Sequence, residues 1–229
     1  MTINDYSNYL YIPDELQGVQ SSRPLENIAN GEKVTRGSED PALLAISETL
    51  KLNESGLTQG IENINSALSY LKIGDSALGE QSDILDSVKE KLLEASTDTT
   101  SDEQRGIIKN EINDLLEQFD NIASSTNYNN ETILQNSSDD SSSSNSFGVQ
   151  IGTESSDFVS SNSIQSNLEG LGLKDLLNDT NFTADSARSY LETIDDAISQ
   201  VSDYRSDIGS TANQLESSFT SLSSQVVNT

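Results

Sequence analysis

Apolar residues return at every seventh position in two long tracts of this chain, and that spacing narrows the fold more than any other feature. In the first half the series is Leu43, Leu50, Leu57, Ile64 and Leu71, with Ile46, Ile61 and Leu68 filling the alternate three-or-four spacing. Near the end it is Ile194, Val201, Ile208, Leu215 and Leu222, widened by Leu191, Ile198, Tyr204, Phe219 and Val226. A seven-residue repeat places these side chains on one stripe of an α-helix, the seam of a coiled-coil-type packing. A helix over residues 183–227 would be roughly 68 Å long, and a stripe of that length stays in water unless a partner covers it. The first tract has matching length and period, so the ten seam residues predict two long helices packed on each other.

Local signals place the ends. Ser38-Glu39-Asp40-Pro41 reads as a helix start, with a capping side chain, acidic residues and a proline in the first turn. Asn53 falls where the stripe wants an apolar residue, as a register-setting polar group or a solvated edge. Leu78, Leu85, Val88, Leu92 and Ala95 carry the stripe onward, and Gly74 and Gly79 weaken the join, so one long helix or two stacked ones both fit. Ser96 to Thr100 reads as a polar turn, and Ser101-Asp102-Glu103 starts another helix whose stripe is Ile108, Ile112, Leu115, Phe119 and Ile122. So short a loop predicts antiparallel packing. Asn127-Tyr128-Asn129-Asn130 reads as a turn, and the low-complexity NSSDDSSSSNS that follows as a solvated loop. Phe147, Val149 and Ile151 alternate as in a short strand, and Phe158-Val159 offers a hairpin partner. Residues 168–173 form a glycine-rich return.

The expected architecture is mainly α, an elongated rod of long coiled-coil-like helices with a small β-hairpin excursion. Its parts are an irregular N-terminal arm (1–30), N-terminal rod helices (31–135), a serine-rich loop with a short β element (136–182) and a C-terminal rod helix (183–229) packing back on 31–135. Tyr6, Tyr9 and Tyr11, followed by Pro13 and Pro24, mark the arm as extended.

Composition sets the chemistry. The net charge is −26, from 12 basic and 38 acidic residues, which opposes nucleic acid and anionic membrane as partners. It also opposes self-association at low salt. With no Cys and no His, disulfides, thiol catalysis, Cys/His zinc sites and histidine bases are excluded. No phosphate-loop, nucleophile-elbow, HExxH or EF-hand spacing is present. Acidic pairs such as Glu39-Asp40, Asp139-Asp140 and Asp195-Asp196 are what 38 carboxylates give by chance, so neither a metal, a cofactor nor enzymatic activity is expected. Arg36, Arg105, Arg188 and Arg205 are scarce cations. They pair within the chain or, for Arg36 and Arg105 as candidates, between subunits; Arg205, between Asp203 and Asp207, suits a local role. No apolar run approaches a membrane span or a secretion signal.

Several stretches resemble, in order, the bacterial flagellin family. G-E-K-V-T-R-G-S-E-D-P-A-L-L-A-I-S (31–47) is similar to the stretch that opens the family's core rod. I-E-N-I-N-S-A-L-S-Y-L-K-I-G-D-S-A-L (61–78) resembles its next helix, and residues 101–129 its third helix with an I-A-x-x-T-x-[FY]-N exit. F-G-V-Q-I-G (147–152) and L-G-L (171–173) resemble its β element and return, and residues 186–226 its C-terminal rod helix. Relative to the family, the terminal segments that form a filament's inner tube are expected to be degenerate or truncated, since Pro13 and Pro24 interrupt the arm and the chain stops at Thr229.

The resemblance implies a structural subunit that self-associates, exported by the flagellar type III route without a cleaved signal to an extracellular flagellum. It implies other flagellin-type subunits as partners, with an export chaperone and the hook junction protein as further candidates. The hook–filament junction protein is the alternative identity, because V-T-R-G-S-E-D-P (34–41) is close to its V-T-x-x-S-D-D-P; a secreted modulatory protein that does not polymerise is another. The vertebrate innate flagellin receptor reads an Arg and a Leu on the family's second helix and a Glu on the third. Those positions are Ser87, Lys91 and Glu111 here; only the Glu matches, which implies weak stimulation.

Overall fold

The fold, seen in a computed structural model that describes residues 40–135 and 146–228, is mainly α. The arm at 1–30, Arg36 and the serine-rich loop at 136–145 lie outside the described residues. The elements in chain order are α1 (Pro41–Ala95), α2 (Asp102–Ser125), β1 (Asn127–Tyr128), β2 (Glu131–Thr132), β3 (Gly148–Gln150), β4 (Phe158–Ser160), α3 (Lys174–Asn178) and α4 (Ala184–Asn228). The chain divides into two compact units, residues 1–54 and 55–229.

Of the first unit, residues 40–54 are described. Asp40 is itself the cap, its Oδ1 accepting from the amides of Ala42 and Leu43, and Pro41 occupies the first helical position, where its missing N–H costs nothing. Within this unit the described stripe residues are exposed. Leu43 is 39% exposed and Leu50 43%, and Ile46 between them is exposed too. The described part of the unit is one helical stretch, and a single helix cannot bury its own stripe.

In the second unit the stripes do their expected work. Ile64, Leu71, Leu78, Leu85, Val88 and Leu92 of α1 are buried with Ile194, Val201, Ile208, Leu215 and Leu222 of α4, while Leu57 is half-buried. Each fully buried Leu or Ile contributes about 1.5–3 kcal/mol, enough in sum to hold helices that no local propensity would sustain. Gly74 and Gly79 do not break α1, which is one continuous helix. Gly74 lies against Ile133 and Ile208, so a small residue there brings the neighbours in close.

Helix α2 begins with a capping box: Ser101 accepts from the Gln104 amide and the Gln104 side chain accepts from the Ser101 amide. Its buried stripe is Ile108, Ile112, Leu116, Phe119 and Ala123, with the expected Leu115 and Ile122 only half-buried. The stripe therefore drifts by one residue, as a 3.6-residue helix does against a strict alternation of four and three. Gln81 joins the layers: buried, it donates to the carbonyls of Phe119 and Ser166 and accepts from the Ser166 hydroxyl.

Two antiparallel hairpins interrupt the helices. β1 and β2 are joined at Asn129 and Asn130, both with positive φ, the primed turn that matches strand twist. β3 pairs with β4, Val149 facing Val159. The β3–β4 hairpin seats on a glycine face of α1, where a Cβ on Gly60 would run into the Ile151 carbonyl oxygen; Asn63 donates to the Gln150 carbonyl beside it. On α1, Tyr70 stacks on Phe147 at 4.1 Å and meets Tyr128 edge-on at 6.0 Å. Burial, with Glu131 nearby, pushes the Tyr70 hydroxyl above its ordinary pKa.

Candidate assembly surface

Ion pairs fix the register of the bundle. Lys89 of α1 meets Asp195 of α4 at 2.5 Å, and Arg205 of α4 reaches Asp75 of α1 at 3.1 Å rather than the acids beside it on its own helix. Arg188 joins Asp98 at 2.5 Å and Asp185 at 2.6 Å, which raises its pKa, Asp98 first. The spacings run in opposite senses along α1 and α4, so the two helices are antiparallel. Exposed pairs of this kind contribute little stability each, but they select one register among those the apolar stripe allows.

Arg105 is not placed for pairing between subunits. It is 5% exposed, and its guanidinium points into the α1–α2 connection. Nε donates to the Ala95 carbonyl at 2.9 Å, Nη2 to the carbonyls of Thr97 at 3.3 Å and Thr100 at 2.9 Å, and Nη1 to Asp102 Oδ1 at 2.8 Å. The planar five-donor fork is suited to collecting the carbonyls of Ala95 at the end of α1 and of Thr97 and Thr100 in the turn after it. What looked like a spare surface cation is the clasp of a helical hairpin. Its i,i+3 spacing to Asp102 and its place in the first turn after a short loop were the available signals.

The three receptor-aligned positions lie on the outer faces of α1 and α2. Lys91 and Glu111 come together at 2.5 Å, and that bond, ahead of the neighbouring acids, raises the Lys91 pKa. Ser87 is exposed and donates to the Asp83 carbonyl. Other outward hydroxyls do likewise: Ser66 to Glu62, Ser69 to Asn65, Thr220 to Glu216 and Ser224 to Thr220. These faces are largely polar and acidic, with Leu93 and Ile107 exposed among them.

The sequence reading passed over Lys109. It is 7% exposed, donates to Asn113 Oδ1 and, at 3.1 Å, to the Leu177 carbonyl at the end of α3, and lies 5.9 Å from the Phe182 ring centre. Desolvation by burial lowers its pKa, with Asp179 acting the other way. Its position directly after Ile108 marked it as a flank of the stripe, but which flank the α3–α4 connection covers is not written in the periodicity. Among the described residues no group of three acids could hold a metal ion, and no helix is long and apolar enough to cross a membrane.

A long-helix antiparallel bundle carrying two small hairpins defines the class of protein. A profile of the bacterial flagellin N-terminal helical region matches residues 15–139, more than half of the 229. The chain belongs to the bacterial flagellin family. Among its relatives, flagellin B of Helicobacter pylori is 31% identical over 141 residues, 60% of this chain but 27% of that protein. A flagellin of Halalkalibacterium halodurans is 26% identical over 207 residues, 89% of this chain and 72% of its own length. The crystal structure of Bacillus cereus flagellin has the same fold, with a TM-score of 0.60 at 24% identity over 70% of this chain and 88% of that one. A Vibrio parahaemolyticus protein described as flagellar hook-associated gives 0.68 at 14% identity, over 84% and 96%.

Proposed function

We propose that the chain is a structural subunit of a bacterial flagellar filament, working by self-association rather than by chemistry. The observation that carries this is the antiparallel α1–α4 bundle, which reproduces the flagellin fold and belongs to a chain of that family. The stripes buried in the bundle are not available for assembly, so its subunits meet through polar outer faces and the residual apolar ones, such as Leu43, Ile46 and Leu50. Other flagellin-type subunits are the principal partners, with an export chaperone and the hook junction protein as further ones, and the site of action is the extracellular flagellum, reached by flagellar type III export.

Sedimentation velocity of the purified chain at low and high salt, with electron microscopy of any fast fraction, tests this. Filaments in the fast fraction are expected once salt screens the −26 charge. A monomer with a high frictional ratio at every salt concentration would overturn self-association of the chain alone. The likeness to a hook-associated fold favours a second reading, the hook–filament junction protein, for which short caps or end-bound complexes replace filaments in the same micrographs.

At the receptor-aligned positions the expectation is weak stimulation. Ser87 and Lys91 are not the family's Arg and Leu, and Glu111 is engaged by Lys91. A cell reporter assay should show little response at nanomolar protein; a strong one would refute this.

A further inference from the structure

Two cations are buried among the described residues, Arg105 and Lys109. Arg105 has the Asp102 carboxylate beside it; Lys109 lies in no ion pair. Burying an ammonium is costly unless an anion or several acceptors replace its water, and here two neutral oxygens, of Asn113 and Leu177, take two of three N–H groups, while the Asp179 carboxylate favours the charge without bonding it. This happens in a chain with 38 acidic residues, where Lys89, Lys91, Lys174, Arg188 and Arg205 have each found a carboxylate. The lowered pKa of Lys109 reports the same imbalance.

The ammonium lies on a groove of about 780 Å³ between α2 and residues 177–183. Gly106 leaves the α2 side open, since a Cβ there would meet nothing within 4 Å. The side-chain amides of Asn110 and Asn178 stand on the walls and make no hydrogen bond within the described residues. One buried ammonium with a spare N–H and two amide donors is a receptor for a carboxylate. The rim carries Asp102 and Asp179, which discourage free small anions and leave binding to an acid held in place by a larger contact.

We infer that this groove receives an exposed Asp or Glu side chain of a second copy of the chain, accepted by Lys109 Nζ with Asn110 and Asn178 as flanking donors. The inference rests on the self-association reading. A second copy is the fitting source because it offers such acids along its outer faces, among them Glu62, Glu80 and Glu90 of α1, all exposed.

The test compares wild type, Lys109→Met and Lys109→Arg in the sedimentation experiment, with circular dichroism confirming the fold. Lys109→Met should raise the concentration at which polymer first appears by about tenfold or more, and Lys109→Arg should stay near wild type. Zero-length carbodiimide cross-linking of mixed 15N-labelled and unlabelled wild type should join Lys109 to an acid of the other isotope. If Lys109→Met assembles like wild type, or cross-links form only within one chain, the inference is wrong while self-association stands. A wild type that stays monomeric sinks both. Should Lys109→Met lose its helical signal, the wild-type cross-link decides alone.

Discussion

Removing the Arg105 guanidinium would take a charged donor from three backbone carbonyls in the α1–α2 connection at once, leaving Thr97 with the Thr100 amide alone. Carbonyls bonded to a charged donor contribute more than neutral pairs, and a nearly buried clasp cannot be replaced by water without opening the turn. Arg105→Ala is therefore expected to cost about 3 kcal/mol in urea unfolding. Arg105→Lys should recover less than half, because an ammonium cannot span the fork. A loss within about 0.5 kcal/mol for the alanine variant would show that the carbonyls find other partners. The same residue shows what a sequence conceals. Scarcity made Arg105 look available to a neighbour, whereas burial depends on how the polar turn at 96–100 folds over it.

Between elements, the β3–β4 hairpin approaches α1 closely at Gly60. Gly60→Ala places a methyl group against the Ile151 backbone, which cannot rotate away as a side chain would. The gain in helix propensity is about 1 kcal/mol, and overpacking against backbone costs typically 1–3 kcal/mol, so net destabilisation is expected. Hydrogen exchange should quicken at residues 148–160 before it does in α2; a stabilised variant with an unchanged hairpin would contradict the packing. Periodicity foretold the helices, the α4 seam and the β3–β4 pair. It misplaced Leu115 and Ile122, because a strict alternation of four and three falls short of 3.6 residues per turn and lags behind the buried Leu116 and Ala123. It also missed the strands beside Asn129-Asn130, where two residues a side are too few to alternate, and the five-residue α3. Leu43 and Leu50 have the right spacing yet are exposed, since spacing specifies a face and not what covers it.

For the molecule as a whole, charge decides the response to salt. Exposed ion pairs weaken as salt rises, but each contributes only about 0–1 kcal/mol, while an excess of 26 negative charges repels itself throughout the fold. The midpoint of thermal unfolding should therefore rise between roughly 10 mM and 0.5 M salt as the Debye length shrinks from about 30 Å to under 10 Å. A falling midpoint would mean that the pairs of Lys89, Arg188 and Arg205 outweigh the global repulsion.

Tyr70 has a consequence for tolerance to change. It touches Tyr128, which precedes residues 136–145 in sequence, and Phe147, which follows them, so two points of the chain 19 residues apart meet at a single ring. A tether whose two ends are already fastened together forms a closed ring of chain, and enlarging such a ring costs only about 0.6 kcal/mol per doubling of its length. Lengthening the sequence between Tyr128 and Phe147 should therefore cost the fold little, because the contacts of Tyr70 already hold the two flanks together.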